Sequence, residues 1–242
     1  MLIIGHRGAA AADTPENTLA SVDRALRQGA DGVEIDVRLT ADGVPVCHHD
    51  PGLWRTAGDT RHIVSLRAAQ LPAVRGHAVP PLSEVVDLVG DRGRLVVELK
   101  TPHWPAGAAD STVAAVMVEL QRHRLYDVVV SSFDRPRLLR VHGYTAPVRT
   151  ALLGRPGLPL AVLLRRAAQD RHEEVHAHIS SLLGRLELVR PAAQQGISVS
   201  GWTVNRASEL ARLREAGVAA AICDDPGLAR AALQGRPLAA AV

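Results

Sequence analysis

Short apolar runs in this chain alternate with longer amphipathic segments, which predicts alternating strands and helices. The first run, residues 2–5, has the pattern of a buried strand. A helix is predicted next, with Thr14 as its N-cap, Pro15 as its first residue and Gly29 as its stop. Further strands are predicted at 94–100, 128–133, 148–153, 175–179, 197–204 and 218–223. Helices are predicted at 81–89, 108–123, 158–169, 186–195 and 207–216. Two more are predicted, one that follows the 128–133 strand and ends at about residue 142, and one that begins at Pro226.

Residues 33–37 carry two acidic side chains on an otherwise apolar strand. Successive strand residues face opposite sides, so Glu34 and Asp36 share one face while Val33, Ile35 and Val37 share the other. Two neighbouring carboxylates repel each other and raise each other's pKa unless a cation or basic groups lie between them. Carboxylate oxygens suit Mg²⁺ or Ca²⁺, so this strand predicts a site for one divalent cation.

The segment that follows predicts a β-hairpin. Only six residues, 38–43, separate Val37 from Val44, which is too short for a parallel crossover. The chain should therefore fold back as an antiparallel strand and return His49 to the level of Glu34. His48 is the alternative to His49, because adjacent strand residues face opposite ways.

The order of elements predicts one α/β domain, residues 1–242, with the TIM (β/α)8 barrel architecture. Counted with the hairpin as one position, eight strands are each followed by a helix. The sequence contains no glycine-rich dinucleotide-binding loop, which would have favoured an open doubly wound sheet. Residues 50–79 lack a clean period and predict a short capping insertion after the second strand, with one short helix near 65–70.

Charge and composition narrow the range of partners. The net charge is only +3 and the basic residues form no stripe, so nucleic acid is not an expected partner. No apolar run reaches the roughly 18 residues of a membrane span, so we expect a soluble, cytoplasmic protein without stable membrane insertion. Cys47 and Cys223 fall in predicted strands and are expected to be buried, reduced thiols. Monomer and homodimer remain open.

Polar residues collect where predicted strands end, which is where a TIM barrel builds its active site. His6 and Arg7 follow the first strand, and Glu98 and Lys100 share a face of the 94–100 strand. Three carboxylates, two histidines and two cations at one barrel mouth suit phosphoryl chemistry. The metal and Arg7 would bind phosphate oxygens, and His6 and His49 would exchange protons with the attacking and leaving oxygens.

Other interpretations of these residues remain open. Glu98 and Lys100 could form a structural ion pair. Four aromatic residues lie beside the strand-end motifs and are candidates for a substrate wall, although Trp202 fits the core equally well: Trp54, Trp104, Phe133 and Trp202. His176 and His178 alternate on a predicted strand, where a structural role is favoured over a place in the pocket. Asn17 is interpreted as a tie to the backbone at the start of a helix.

An ordered set of short strings, spanning residues 4–226, resembles the glycerophosphodiester phosphodiesterase family. The strings are His6-Arg7-Gly8, Pro15-Glu16-Asn17-Thr18, 29–37 with Glu34 and Asp36, His49-Asp50, Glu98-Leu99-Lys100, Ser131-Ser132-Phe133-Asp134, Trp202-Thr203-Val204-Asn205 and Asp224-Asp225-Pro226. Each string alone is weak, but the ordered set is specific.

The resemblance implies a fold, a reaction and a set of site residues. It implies a TIM barrel that hydrolyses glycerophosphodiesters to glycerol 3-phosphate and an alcohol. It places the divalent cation on Glu34, Asp36 and Glu98, the acid/base pair at His6 and His49, and phosphate contacts at Arg7 and Lys100. Pro81, Cys223 and the short insertion depart from the family pattern and bear on substrate preference. A phospholipase C or D type barrel and a barrel that binds without turnover are the alternatives.

Overall fold

A computed structural model describes residues 1–101, 108–123, 127–146 and 148–234 of the chain. Eight parallel strands close into a barrel because the first strand pairs with both the second and the last. They are β1 (Leu2–His6), β2 (Gly32–Leu39), β4 (Arg94–Leu99), β5 (Val128–Ser132), β6 (Arg149–Gly154), β7 (Glu174–His178), β8 (Ser198–Trp202) and β9 (Ala220–Cys223). The predicted TIM barrel is confirmed. Cys47 and Cys223 are buried free thiols, as expected.

The one described strand outside the barrel, β3 (Pro45–Cys47), forms the predicted hairpin. It runs antiparallel to β2, and Val37 lies opposite Cys47. The pairing continues one step further, since the His48 N–H donates to the carbonyl of Asp36 at 2.9 Å. β3 ends at Cys47, so the strand pairing does not itself reach His49, which lies in the bend that follows.

Helices connect the strands and cover the outside of the barrel. They are α1 (Leu19–Arg27), α2 (Trp54–Ala57), α3 (Leu82–Val89), α4 (Ala108–Arg122), α5 (Arg135–Val141), α6 (Leu160–Asp170), α7 (Ile179–Leu183), α8 (Val189–Gln194), α9 (Ala207–Ala216) and α10 (Pro226–Leu233). Three further turns are 3₁₀ helices, at Ile63–Ser65, Ala68–Gln70 and Leu186–Leu188. None of the described helices is long and apolar enough to cross a membrane.

The predicted start of the first helix was wrong by four residues. α1 begins at Leu19, and Thr18 is its N-cap. The Thr18 hydroxyl accepts from the backbone N–H of Ser21 at 3.2 Å, and the Ser21 hydroxyl accepts from that of Thr18 at 3.1 Å. Asn17 has a φ of +58°, which a right-handed helix cannot contain. Residues 14–17 therefore form a turn that leads into the site.

Three other segments differ from the predicted elements. α2 was not predicted, and the expected helix near 65–70 is a pair of 3₁₀ turns. The strand predicted at 175–179 ends at His178, whose ring nitrogen Nδ1 accepts from the backbone N–H of Ser180 and so caps α7. The predicted helix 186–195 is a 3₁₀ turn followed by α8.

The strands divide the apolar residues between two layers. Val33, Ile35 and Val37 pack outward against the helices in the large core. A much smaller apolar cluster fills the barrel interior, made of Ile4, Val96, Val129, Ala151, Ala220 and Ile222. The alternate residues of β2, Glu34 and Asp36, are buried on the inner side. The fold therefore places carboxylates above a small apolar plug at the mouth of the barrel.

Candidate active site

Three buried carboxylates meet where β2 and β4 run side by side. The register of these strands places Asp36 opposite Glu98, and Glu34 lies two residues before Asp36 on the same face. One carboxylate oxygen from each residue lies within 4.8 Å of the others. The exposed fractions of Glu34, Asp36 and Glu98 are 5%, 1% and 8%. The strand pairing thus builds an oxygen-rich cluster with little access to water.

Burial and mutual repulsion shift the pKa values of these acids. Burial, reinforced by the charge of Asp36, raises the pKa of Glu34 to about 7. The same two causes raise the pKa of Glu98. Burial also acts to raise the pKa of Asp36, but the nearby charges of Lys100 and Arg7 outweigh it and lower that pKa. The cluster is therefore an environment in which added positive charge is stabilising.

Two basic side chains contact the cluster. Lys100 Nζ lies 2.7 Å from Asp36 Oδ1 and 2.6 Å from Glu98 Oε1. Arg7 Nε lies 3.1 Å from Asp36 Oδ2, and the Arg7 backbone N–H donates to Glu34 Oε2 at 3.0 Å. The ion pair between Glu98 and Lys100, considered above as a structural alternative, is formed. The same lysine also lines the cavity described below.

Asn17 also holds Asp36 in place, through the side chain and the backbone of that residue. Its amide Nδ2 donates to Asp36 Oδ2 at 2.8 Å, and its Oδ1 accepts from the Asp36 backbone N–H at 2.9 Å. The predicted backbone tie is therefore made to a strand of the site rather than to the start of a helix.

His6 and a carboxylate from the last strand form a pair at the barrel mouth. His6 Nδ1 lies 2.7 Å from Asp224 Oδ1, and Asn205 Nδ2 donates to Asp224 Oδ2 at 2.6 Å. Burial lowers the pKa of His6, but the hydrogen bond to Asp224 and the charge of Glu34 outweigh it and raise that pKa above its usual value. With Nδ1 bound to Asp224, the other ring nitrogen makes no hydrogen bond to the described residues.

His49 forms a second pair of the same kind. Its Nδ1 lies 2.6 Å from Asp50 Oδ1. Burial, with a contribution from the charge of Lys100, lowers the pKa of His49. His48 has its two ring nitrogens bonded to the Asp50 carbonyl and the Thr56 hydroxyl, both at 2.9 Å, and it is not among the cavity-lining residues. The hairpin therefore directs His49, and not His48, to the cavity.

A cavity of about 100 Å³ connects these groups. Its lining residues are His6, Arg7, Glu34, His49, Glu98, Lys100, Ser131, Phe133, Leu153, His176, Trp202 and Ile222. Phe133 and Trp202 meet edge to face with their centroids 5.6 Å apart, and the Arg155 guanidinium lies 4.9 Å from the Phe133 centroid. His176 lines the cavity, with Nε2 at 3.4 Å from Glu174.

The structure describes one of the two remaining aromatic candidates. Trp54 does not line the cavity, because α2 turns its ring outward and leaves 70% of it exposed. Trp104 lies outside the described residues.

Comparison with known proteins gives this geometry its context. The family model described as "Glycerophosphoryl diester phosphodiesterase family" matches residues 6–228, which include every residue of the two histidine pairs and of the carboxylate cluster. The chain belongs to this family. Members of the glycerophosphoryl diester phosphodiesterase family are phosphoric diester hydrolases, and the chain is an enzyme of this class.

Relatives and solved structures of the glycerophosphoryl diester phosphodiesterase family match over nearly the whole chain. A glycerophosphodiester phosphodiesterase of Caldanaerobacter subterraneus is 32% identical over 240 residues, covering 93% of this chain and 94% of the relative. A probable glycerophosphodiester phosphodiesterase 1 of Mycobacterium tuberculosis is also 32% identical, covering 96% and 92%. A phosphodiesterase of Oleispira antarctica, solved with the product sn-glycerol-3-phosphate, is 28% identical with a TM-score of 0.85 over 97% of both chains.

Several residues of the site were not assigned a role from the sequence. The strings that carry the family resemblance include Asp50, Asp224 and Asn205. The sequence therefore pointed to these residues, but it did not show that the two acids contact the two histidines or that Asn205 contacts Asp224. Glu16 had the same weak signal. Arg55 had none, although it contacts two of these acids.

Proposed function

We propose that the protein hydrolyses glycerophosphodiesters to glycerol 3-phosphate and an alcohol, with a divalent cation on Glu34, Asp36 and Glu98 and with His6 and His49 as its acid/base pair. One observation carries the proposal: two histidines, each bonded through Nδ1 to its own carboxylate, line the same small cavity as the carboxylate cluster. The product complex of the Oleispira antarctica relative supports the choice of substrate class.

The carboxylate cluster fits Mg²⁺ or Ca²⁺ by its donor set. It offers three hard oxygen ligands that are buried, close together and raised in pKa at two positions. Such a cation, when bound, withdraws electron density from phosphoryl oxygens and offsets the charge that develops on them. Asn17 and Arg7 would hold Asp36 in its orientation, since they contact the carboxylate from the protein side.

Arg7 and Lys100 are the proposed phosphate contacts. Both line the cavity, and Lys100 carries a compact charge within reach of two acids. Arg7 differs from the expected bidentate fork on phosphate, because its Nε faces Asp36 and its NH1 donates to Glu16 at 3.0 Å. Its remaining nitrogen, NH2, makes no hydrogen bond to the described residues and is the donor that we assign to a phosphate oxygen.

Hydrolysis of a diester needs one group that takes a proton from the nucleophile and one that gives a proton to the leaving alcohol. His6 and His49 suit these tasks because each presents a ring nitrogen to the cavity and rests on a carboxylate that fixes its tautomer. Asp224 and Asp50 would also stabilise the protonated imidazole of their partners, since each carboxylate contacts its histidine directly.

The test is release of glycerol 3-phosphate from a panel of glycerophosphodiesters, with chelator and with add-back of Mg²⁺ or Ca²⁺. His6→Ala and His49→Ala should each lower kcat by roughly 100- to 10,000-fold, whereas the exposed His62→Ala serves as a matched control and should not. A p-nitrophenyl diester, whose leaving group needs no proton, should restore the variant that lacks the general acid and not the other. Full activity after exhaustive chelation, or in either histidine variant, would contradict the proposal.

A further inference from the structure

A single arginine of the capping insertion touches two acids of the site. Arg55, on α2, places Nε 2.5 Å from Asp50 Oδ2 and NH2 2.5 Å from Glu16 Oε1. A guanidinium is planar and offers several donors in fixed directions, so it can hold two carboxylates in a defined relation to each other. Half of the Arg55 side chain is exposed, at 50%, and it is not among the residues that line the cavity.

The two acids lead in different directions into the site. Asp50 uses its other oxygen, Oδ1, to contact His49 Nδ1 at 2.6 Å. Glu16 accepts from Arg7 NH1 at 3.0 Å. Three ion pairs thus connect Arg7, Glu16, Arg55 and Asp50, and a hydrogen bond between Asp50 and His49 continues the chain.

The next residue of α2, Thr56, contacts the 48–50 segment through His48. The Thr56 hydroxyl bonds His48 Nε2 at 2.9 Å, and His48 Nδ1 bonds the Asp50 carbonyl at 2.9 Å. The single turn of α2 therefore contacts the 48–50 segment through Arg55 and through Thr56.

We infer that Arg55 is a positioning residue for His49, acting through Asp50 and anchored by Glu16. The inference rests on the proposed acid/base role of His49, and it gives the 50–79 insertion a function: α2 completes the catalytic site by fixing the direction of the Asp50 carboxylate. Without Arg55, Asp50 keeps its bond to His49 but loses the partner that fixes its second oxygen. The imidazole would then sample orientations that are not productive, and misplacement by about 1 Å costs roughly 100-fold in rate.

The first measurement compares Arg55→Ala with Arg61→Ala. Arg61 lies in the same insertion, is similarly exposed at 53% and pairs with Asp59, so its loss removes an insertion ion pair without touching the site. Arg55→Ala should lower kcat by about 10- to 100-fold, the usual effect of losing a residue that orients a functional side chain. Arg61→Ala should leave kcat unchanged. Exposed ion pairs contribute little to stability, so neither Tm should fall by more than about 4 °C.

The second measurement separates positioning from a general structural effect. A residue that acts through His49 has nothing to act on once His49 is gone, so Arg55→Ala/His49→Ala should have the same kcat as His49→Ala. A structural residue would lower kcat by the same factor in both backgrounds. Arg55→Ala should also respond to a p-nitrophenyl leaving group in the same direction as His49→Ala.

The third measurement is rescue. Because the Arg55 position opens to solvent, added methylguanidinium should restore part of the kcat of Arg55→Ala. It should leave the kcat of Arg61→Ala unchanged and should not raise that of His49→Ala. Arg55→Lys keeps the charge but has one nitrogen in place of the two that contact Asp50 and Glu16, so its kcat should lie between those of wild type and Arg55→Ala.

The outcomes separate the two levels of the argument. If His49→Ala is as active as wild type, the proposed function fails. If His49→Ala is impaired and Arg55→Ala is not, or if the two losses multiply in the double variant, the proposed function stands and the role of Arg55 is overturned. The positioning role of Arg55 is supported if three results agree: kcat falls in Arg55→Ala, methylguanidinium restores part of it, and the double variant has the same kcat as His49→Ala.

Discussion

Replacing Asn17 tests the contact on which the orientation of Asp36 depends. Asn17→Gly removes a hydrogen bond to a buried carboxylate and leaves the Asp36 backbone N–H without its acceptor. A buried donor without a partner costs about 1–3 kcal/mol, and a hydrogen bond to a charged group is worth about 1.5–3 kcal/mol. The two terms share one neighbour and do not add fully. The free energy of unfolding should therefore fall by about 3 kcal/mol.

Asn17→Ala separates backbone conformation from hydrogen bonding. It loses the same bonds, but it also forces a residue with a Cβ into a φ of +58°. The left-handed conformation costs such a residue about 1–2 kcal/mol. Glycine is favoured there in the folded state but has a more flexible unfolded chain, which offsets part of the difference. Asn17→Ala should thus be about 1 kcal/mol less stable than Asn17→Gly.

The assay is equilibrium unfolding in urea at pH 7, read by circular dichroism, with m-values checked for equality across the variants. A loss below about 1 kcal/mol in Asn17→Gly would show that the two bonds make no net contribution to stability. An alanine variant at least as stable as the glycine variant would refute the conformational part of the reasoning.

Three further predictions concern the phosphate contact, the barrel wall and the pH dependence of stability. Arg7→Lys keeps the charge but cannot contact both Asp36 and Glu16, so kcat/KM should fall by about 10- to 100-fold. A kcat/KM equal to that of wild type would show that the site does not need the guanidinium group. A Cβ at Gly32 would lie 2.2 Å from the Arg94 carbonyl oxygen, so Gly32→Ala should cost at least about 2 kcal/mol in urea unfolding, whereas Gly184→Ala, with open space, should be nearly neutral. Burial, with the charge of His142, lowers the pKa of His172 to about 4. Between about pH 6.5 and pH 4 only the unfolded state binds this proton, so stability is lost as pH falls through that window, by at most about 3 kcal/mol. His172→Gln should flatten this dependence and the exposed His62→Gln should not; equal slopes in wild type and His172→Gln would contradict it.

The barrel and its carboxylate strand could be predicted because both follow from periodicity. Alternation of apolar runs with amphipathic segments reflects how parallel strands are buried between helices, and that pattern is local in the sequence. The spacing of Glu34 and Asp36 fixes a common face through the two-residue repeat of a strand. The length of the turn at 38–43 fixes the direction of the hairpin, and its two strands do pair antiparallel.

The start of α1 could not be predicted from local signals. Thr14-Pro15 satisfies the rules for an N-cap and a first helical residue as well as Thr18 does. Asn17 decides between the two starts, because its hydrogen bonds to Asp36, 19 positions further on, hold it in a conformation that a helix cannot contain. A tertiary contact therefore overrode a sequence rule that was satisfied.

Contacts made by the insertion were equally hidden. Arg55 pairs with Glu16, 39 positions earlier, and neither residue lies on a periodic stretch that would reveal its direction. Trp54, one residue before it, was a reasonable candidate for a substrate wall because it lies soon after a strand. The turn of α2 directs Arg55 toward the acids and Trp54 outward. Only the rotation of that helix distinguishes the two.

The pairing of His6 with Asp224 also sets when a newly made chain acquires its site. The two residues are 218 positions apart, and β1 finds its second neighbour only in β9. At roughly 5–20 residues per second, His6 is added to the chain on the order of 10–45 s before its carboxylate partner. During that interval β1 lacks one of its two neighbours and presents unpaired backbone groups, as any edge strand does. A nascent or shortened chain without β9 would contain the carboxylates of the cluster, but it could not orient His6 for proton transfer.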